Sequence, residues 1–214
     1  MLTIAITGAL ASDHGHGDHA TMSHRFEDPA QWVARFEDPS REAWQRPAEL
    51  VAALKLRPGD TVADIGAGTG YFNGRLAAAV GPGGRVIAVD IEPTLVAYMA
   101  ERAKRDGTSQ VEARLGAADD ARLAPGEADL VLIVNTYHHV DARVAYFQRL
   151  LAGVKAGGRV VVVDFDPAGP EEIGPPKAHR IAPEKVREEL TAAGWTFVES
   201  LAVVPGEYVL VFRK

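Results

Sequence analysis

The stretch that decides the fold of this chain is Thr61-Val62-Ala63-Asp64-Ile65-Gly66-Ala67-Gly68-Thr69-Gly70. Its first half is apolar and predicts a buried strand, and its second half places three glycines where a helix should begin. Glycine has no Cβ and tolerates positive φ, so a ligand can lie against the main chain at such a helix start. The stretch predicts a strand, a ligand-binding turn and a helix; a glycine-rich turn that binds nothing is the alternative.

The strand-then-helix pattern of this stretch repeats along the chain. Further strands are predicted over four segments: 85–90, 111–115, 129–134 and 159–163. Helices are predicted over 71–80, from 93 to just before Gly107, over 141–151 with Asp141 as cap, and over 183–193. The apolar runs at 129–134 and 159–163 are unbroken, as expected for parallel strands covered on both faces.

The last part of the chain departs from this pattern. Two strands, 195–204 and 208–213, flank Pro205-Gly206-Glu207 and predict an antiparallel hairpin. The expected fold class is therefore α/β: a doubly wound, mostly parallel seven-stranded sheet with an antiparallel C-terminal hairpin and helices on both faces. We expect this domain to span residues 48–214.

Residues 25–47 predict a helical arm ahead of the domain. The segment Arg25-Phe26-Glu27-Asp28-Pro29 recurs as Arg35-Phe36-Glu37-Asp38-Pro39, and each copy predicts a helix that begins at its proline and is capped by its last aspartate. The arm either packs on the domain or forms a lid over a bound ligand. The lid candidates are Arg41, Trp44 and Gln45.

Residues 1–24 predict a flexible tail that contains His14, His16, His19 and His24. It is expected to be solvated, and chelation of a divalent ion by the histidines is the alternative. Met1 to Ala11 is apolar and ends in Ala9-Leu10-Ala11, which is typical of a cleaved leader, but no Lys or Arg precedes the apolar run. We therefore expect a cytoplasmic protein, with a signal peptide as the alternative.

Composition restricts the function classes. With 214 residues and 47% hydrophobic content, the chain forms one sizeable core and is expected to be a single domain. The net charge of -6 argues against nucleic-acid binding, which normally carries a basic surface. The absence of cysteine excludes disulfides, thiolate metal sites and cysteine nucleophiles. No segment is long and apolar enough to span a bilayer, and no metal site is expected in the domain.

Taken together, the motifs resemble those of the class I S-adenosylmethionine-dependent methyltransferases over residues 48–214. The resemblance rests on Asp64 to Gly70, on Asp90 at the end of the second strand, on Gly116-Ala117-Ala118-Asp119 after the third, and on the hairpin. Within this family the chain is most similar to the small-molecule, ubiquinone- and menaquinone-methylating type. The implied cofactor is S-adenosylmethionine, and the implied partner is a small-molecule acceptor bound by a monomer or homodimer.

The resemblance also implies roles for individual residues. The main chain at Gly66, Ala67, Gly68 and Gly70 would pass the methionine part of the cofactor, and Asp64 would hold its amino group. Asp90 would accept hydrogen bonds from the ribose hydroxyls, with Ile91 against adenine. The other implied contacts are Ala118 and Asp119 with adenine and Asn135 with the methionine end. Relatives often carry an acid at the position of Ala117, so the adenine contact is left open between Asp119 and Asp120.

Two other nucleotide-binding classes share parts of the pattern. A nicotinamide oxidoreductase has the same strand, loop and acid, but its fingerprint requires glycine at the position of Tyr71. A P-loop requires Gly-Lys-Ser/Thr at the helix start, and no lysine follows Gly70. The oxidoreductase is kept as an alternative, as is a non-catalytic cofactor- or metal-binding module with a histidine-rich tail.

The candidate acceptor site lies at the carboxyl ends of the fourth and fifth strands, where open α/β sheets place their ligands. His138 and His139 are candidate bases, and Tyr137 is either a catalytic residue or a packing residue. The candidate substrate-binding residues are Trp44, Asp164, Asp166, His179 and Arg180. Methyl transfer needs no nucleophilic side chain, so positioning and exclusion of water would carry most of the catalysis.

Overall fold

The computed structural model describes residues 29–214, with side chains from Trp32 onward. Its seven strands form one sheet in the order β3-β2-β1-β4-β5-β7-β6. The strands are β1 Thr61–Ile65, β2 Arg85–Asp90, β3 Val111–Leu115, β4 Ala128–Val134, β5 Val154–Phe165, β6 Thr196–Leu201 and β7 Glu207–Arg213. The first five strands are parallel, and β7 runs antiparallel to both β5 and β6. The predicted fold class is confirmed.

Seven α-helices surround or precede this sheet in the described part of the chain. They are α1 Pro29–Phe36, α2 Arg41–Gln45, α3 Pro47–Ala53, α4 Asn73–Val80, α5 Pro93–Arg105, α6 Arg143–Gly153 and α7 Pro183–Ala192. Two short 3-10 turns, Tyr137–His139 and Lys177–His179, follow β4 and β5. Both turns therefore lie in segments that leave the carboxyl edge of the sheet.

The core consists of two apolar layers on opposite faces of the sheet. Neighbouring residues of one strand, such as Leu132 and Ile133 of β4, belong to different layers because successive strand side chains point to opposite faces. One layer packs against α6 and α7 through residues such as Phe147 and Leu190. The other packs against α3 and α4. Burial of both faces explains why β4 and β5 read as unbroken apolar runs.

Several predicted boundaries were wrong. The helix expected to begin at Pro39 begins at Arg41, because the Asp38 carboxylate accepts a bond from the Ser40 N–H and forms a turn instead of a cap. Asp141 does not cap α6, which begins at Arg143 after Ala142 in the left-handed region. The fifth strand, expected over 159–163, begins at Val154, and β5 includes Gly157 and Gly158.

The predictions for the tail, for the leader and for a cap at Asp28 concern residues outside the described range. Over residues 29–214, no helix is long and apolar enough to cross a membrane. Over the same range, no group of three or more His, Asp or Glu side chains is arranged to hold a metal ion.

Candidate functional site

The glycine-rich loop connects β1 to α4 and is tied to the end of β2. The N–H groups of Gly66 and Ala67 donate to the Val89 carbonyl at 2.9 and 3.0 Å. The Gly68 N–H donates to Asp90 Oδ2 at 2.8 Å. The predicted loop and the predicted acid are therefore adjacent, as a cofactor that spans both would require.

A Cβ would meet different neighbours at each of the three glycines of this loop. A Cβ on Gly66 would lie 2.3 Å from the Thr136 side chain, and its φ of 71° also disfavours other residues. The absent side chain of Gly70 makes room for Asn73, 2.5 Å from where its Cβ would be. A Cβ on Gly68 would instead lie 3.4 Å from the ring of Phe36 in the arm. Gly68 is thus the loop glycine that faces the arm.

Asp90 is a buried acid with both carboxylate oxygens engaged by the main chain. Besides the bond from Gly68, its Oδ1 accepts from the Glu92 N–H at 3.0 Å. Burial raises the pKa of Asp90, and the backbone hydrogen bonds oppose that rise. Beside it, the side chain of Ile91 is 54% exposed, a large apolar surface at the position where the resemblance puts adenine.

The segment after β3 forms a tight turn in which Ala117 and Asp120 exchange backbone hydrogen bonds. Ala118, inside the turn, is exposed. The Asp119 carboxylate is bound at the surface by Arg149 at 2.6 Å, and this partner lowers its pKa. Asp120 Oδ1 accepts from the Arg122 N–H at 2.7 Å. Both candidate adenine acids thus have partners in the protein, and the choice between them stays open.

Asp64 is the last residue but one of β1, just before the loop, and is 2% exposed. Burial raises the pKa of Asp64 to about 7; the Arg41 cation opposes this rise, and the nearby Asp90 adds to it. Arg41 donates to the Phe36 carbonyl at 2.6 Å and to Gln45 Oε1 at 2.7 Å, and its guanidinium lies 4.0 Å from the centre of the Tyr71 ring. A partly buried cation of the arm therefore lies close enough to Asp64 to oppose the rise in its pKa.

The arm lies across the glycine loop and the start of α4. Glu42 accepts from the Tyr71 hydroxyl at 2.9 Å and pairs with Arg75. Glu37 pairs with Arg102 of α5. The Trp44 ring lies 6.1 Å from that of Phe165 at the end of β5. These contacts span β1 to β5, so the arm covers the carboxyl edge of the sheet.

His138 and Asp164 form a hydrogen-bonded pair at this edge. The imidazole Nδ1 lies 2.9 Å from both carboxylate oxygens of Asp164, and the backbone N–H of His138 donates to Oδ2 at 3.1 Å. Asp164 is 1% exposed and also accepts from the Phe165 N–H. The carboxylate fixes the ring and leaves Nε2 as the nitrogen available to a ligand.

The other two residues of the predicted catalytic segment have different positions. His139 is exposed, and its ring centre lies 4.0 Å from that of His138. Tyr137 is fully buried, and its hydroxyl donates to Glu189 of α7 at 2.6 Å. Burial and the bond to Glu189 raise the pKa of Tyr137 far above its ordinary value. Tyr137 therefore packs in the core, and its prediction as a catalytic residue is corrected.

Three of the predicted substrate-binding residues, Asp166, His179 and Arg180, lie in the segment after β5. Arg180 is 7% exposed and donates to the carbonyls of Pro175, Asp166, Pro170 and Ile173. Its guanidinium is used by the loop, so its prediction as a ligand contact is corrected. Asp166 accepts from the Ala168 N–H at 2.7 Å and borders a shallow cleft of about 290 Å³. His179 is exposed on the 3-10 turn.

Glu207 was not predicted as a site residue. It begins β7, is 8% exposed, and accepts from Gln45 Nε2 at 2.8 Å. Burial raises the pKa of Glu207 to about 7, with the Asp164 charge adding to the rise and Arg41 opposing it. In the sequence, Glu207 follows Pro-Gly and is typical of a turn residue; only its contact with Gln45, 162 positions away, reveals it.

Asn135 follows β4 and has a φ of 54°, a conformation that Asn tolerates better than most residues. Its N–H donates to the Val163 carbonyl at 2.8 Å, which holds the residue between β4 and β5. Its side-chain Oδ1 is buried and has no hydrogen-bond partner within residues 29–214. A buried acceptor of this kind fits a ligand that donates a hydrogen bond, such as an amino group.

Comparison with known proteins matches this geometry. Residues 56–203, more than half of the chain, match the sequence profile of the methyltransferase-domain family Methyltransf_31. A S-adenosylmethionine-dependent methyltransferase from Aquifex aeolicus superposes with a TM-score of 0.81 at 23% identity, over 87% of this chain and 98% of that one. The chain belongs to the methyltransferase-domain family and has the fold of the S-adenosylmethionine-dependent methyltransferases.

Two sequence relatives indicate the range of this family. A ribosomal protein L11 methyltransferase of Thermus thermophilus is 33% identical over 162 residues, 74% of this chain and 54% of the relative. A ubiquinone/menaquinone biosynthesis C-methyltransferase of Ectopseudomonas mendocina is 29% identical over 115 residues, 53% of this chain and 45% of the relative. The chain spans only 30%, 33% and 51% of the first curated relatives it matches.

These findings confirm the resemblance to the family, and its cofactor is S-adenosylmethionine. The quinone-methylating type is represented among the relatives, beside a methyltransferase that acts on a ribosomal protein. The family match favours a methyltransferase over the nicotinamide oxidoreductase alternative.

Proposed function

We propose that this protein transfers a methyl group from S-adenosylmethionine to a small-molecule acceptor. The observation that carries the proposal is the His138–Asp164 pair, which stands at the same sheet edge as the glycine loop. The His138 ring lies 6.4 Å from that of Phe165, which the Trp44 ring of the arm also approaches. We further propose that it acts in the cytoplasm as a monomer or homodimer and has no nucleic-acid partner.

The residues present fit the cofactor in charge and in hydrogen-bonding capacity. Asp90 would hold the ribose hydroxyls, and the main chain around Gly68 would lie along the methionine part. Asp64 and Asn135 would accept from its amino group, since the Asn135 oxygen lacks a partner in the described protein. Arg41 would pair with its carboxylate, because an arginine fork suits a carboxylate better than a single point charge does.

The cofactor supplies an electrophilic methyl group on a cationic sulfur. The protein holds the acceptor in line with this group, excludes water through the arm, and removes a proton where the acceptor atom carries one. His138 Nε2 would take that proton, and Asp164 would stabilise the imidazolium that forms. Asp164 is suited to this role because its buried carboxylate already accepts from Nδ1.

The covered site favours a small acceptor over a macromolecule. Gln45 and Trp44 of the arm reach Glu207 and Phe165 on the acceptor side of the sheet. A protein or RNA chain would have to displace these buried contacts before reaching His138, whereas a small molecule would need only a local opening.

Radiolabelled methyl transfer tests the proposal. The protein is incubated with methyl-labelled S-adenosylmethionine and, separately, with phenols, amines, quinols, purified ribosomal proteins and RNA. We expect label in a small-molecule product, and we expect His138→Asn to slow its formation by about 10²- to 10⁴-fold. Label recovered only in protein or RNA would contradict the small-molecule assignment.

A further inference from the structure

The Tyr208 hydroxyl is a buried polar group that the described protein does not satisfy. Tyr208 is the second residue of β7 and is 5% exposed. Its hydroxyl oxygen has no hydrogen-bond partner within residues 29–214. Buried hydroxyls in native proteins are almost always bonded to protein or to ordered water, because leaving one unsatisfied is unfavourable. The Tyr208 hydroxyl therefore requires a partner, and its neighbours indicate which one.

The strand register places Tyr208 beside the His138–Asp164 pair. Tyr208 is the direct antiparallel partner of Asp164 on β5. Side chains of directly opposite residues lie on the same face of a sheet, with Cβ atoms about 4.5–5.5 Å apart. Burial raises the pKa of Tyr208 far above its ordinary value, and the Asp164 charge adds to the rise. Tyr137, Asp166 and Arg143 also act on this pKa. The hydroxyl therefore keeps its proton near neutral pH and is a donor close to the carboxylate.

The Asp164 carboxylate can accept one further hydrogen bond. An ionised carboxylate offers about four acceptor positions. Three N–H groups engage Asp164: those of the His138 and Phe165 main chain, and His138 Nδ1. Nδ1 is the donor in its contact, because an ionised carboxylate can only accept. A buried donor without an acceptor and a buried carboxylate with a free position thus lie on one face of the sheet.

One water molecule can join these two groups. The Tyr208 hydroxyl makes no direct bond to Asp164, so a bridge between them has to be a small polar molecule. Tyr137 supplies a third polar group, since its hydroxyl donates to Glu189 and can still accept. Buried waters typically make about three hydrogen bonds to polar groups of this kind.

We propose that the Tyr208 hydroxyl, through one bound water molecule, donates to the free acceptor position of Asp164 and positions this carboxylate for its bond with His138. Tyr208 is then a positioning residue, and the inference rests on the proposed function only for the role of His138 as base. The donated bond stabilises the anionic pair, carboxylate with neutral imidazole, more than the pair with imidazolium. Without the hydroxyl, the His138 ring should therefore keep its proton up to a higher pH.

Titration of the His138 ring by nuclear magnetic resonance tests the inference without a methyl acceptor. The signals of this ring are identified by their absence in His138→Asn. We expect Tyr208→Phe to move the midpoint of the titration up by about 0.5–1 pH unit. Tyr146→Phe is the matched control and should titrate like the wild type. Tyr146 is a buried tyrosine of the same core layer, but its acidic neighbours are Asp119 and Asp120.

The rate profile adds a second readout that a packing role would not move. Once an acceptor is found, the acidic limb of kcat/KM should shift to higher pH in Tyr208→Phe by the same amount. An unchanged ring titration in folded Tyr208→Phe, or an equal shift in Tyr146→Phe, would overturn the inference. A shifted titration in a protein that methylates none of the tested acceptors would support the inference and contradict the proposed function.

A crystal structure of the wild type at a resolution that shows ordered water decides the question if Tyr208→Phe does not fold. We expect one water within hydrogen-bond distance of both the Tyr208 hydroxyl and the Asp164 carboxylate. A hydroxyl without such a water, or with a water that does not reach the carboxylate, would overturn the inference.

Discussion

The imidazole Nδ1 of His138 lies 2.9 Å from both carboxylate oxygens of Asp164, at the carboxyl edge shared by β4 and β5. The pair links two separate segments, because His138 lies in the 3-10 turn after β4 and Asp164 lies near the end of β5. Because Nδ1 contacts the carboxylate, Nε2 is the ring nitrogen that the Asp164 contact leaves free.

His138→Asn and Asp164→Asn are expected to slow methyl transfer by about 10²- to 10⁴-fold, the usual contribution of a positioned base. Affinity for S-adenosylhomocysteine should remain that of the wild type, since neither side chain is assigned to the cofactor. Initial rates with the acceptor found by radiolabelling, together with calorimetry, measure both quantities. Gln148→Ala, exposed on α6, is the control. Full activity in the His138 variant would reduce its role to packing.

Asp90→Ala is expected to weaken S-adenosylhomocysteine binding by about 10- to 100-fold. The variant leaves buried ribose hydroxyls and the Gly68 N–H without their acceptor, and each such loss is worth about 1–3 kcal/mol. Calorimetric titration measures the change. Asp106→Ala, which removes an exposed acid at the end of α5, should bind like the wild type. Unchanged affinity in Asp90→Ala would contradict the assignment of the ribose site.

Gly66→Ala is expected to destabilise the protein by about 1–3 kcal/mol or more, because the new methyl group meets Thr136 in a left-handed conformation. Gly83→Ala is the matched control, since nothing lies within 4 Å of its Cβ position and its φ is not in the left-handed range. Urea denaturation gives both free energies of unfolding. Adding Thr136→Ala to Gly66→Ala should recover part of the loss; equal stability of the two glycine variants would contradict the packing reason.

The buried carboxyls predict a pH dependence of stability. Burial raises the pKa of Asp64 and Glu207 to about 7, so each binds its proton more tightly in the folded than in the unfolded protein. Their contribution to stability is fully present below about pH 4 and is lost as the pH rises to about 7.

The double variant Asp64→Asn/Glu207→Gln removes this dependence. We expect the free energy of unfolding of the variant to increase relative to that of the wild type as the pH rises from about 4 to about 7. Above about pH 7 the difference should be constant. Urea denaturation at a series of pH values measures it. A difference that is independent of pH would show that neither carboxyl has a raised pKa.

Local sequence signals were sufficient for the central sheet and for the adjacency of the glycine loop and the acid of β2, while the contacts of these residues with the cofactor stay a prediction. The apolar runs and turn residues predicted all seven strands, and the loop, Asp64 and Asp90 are adjacent as their spacing implied. These signals work because strand, turn and acid follow one another within a single β-α-β unit.

The acceptor side depends on contacts between distant segments, which single-sequence patterns do not encode. Gln45 and Glu207, 162 positions apart, form a hydrogen bond, and the Arg180 guanidinium donates to carbonyls of its own loop. Tyr137 resembles a site residue by position, but it turns into the core toward Glu189 because the 3-10 turn directs it there. Side-chain direction at a strand end is set by the turn that follows, and the sequence pattern does not specify the geometry of that turn.

A crystal structure of the protein with bound S-adenosylhomocysteine is the most direct test of the account. We predict that the ribose hydroxyls donate to Asp90 and that the sulfur lies near Asn135, facing His138 and Glu207 beneath the arm. A sulfur that faces away from β4 and β5, with His138 and Glu207 remote from it, would contradict the proposed acceptor site.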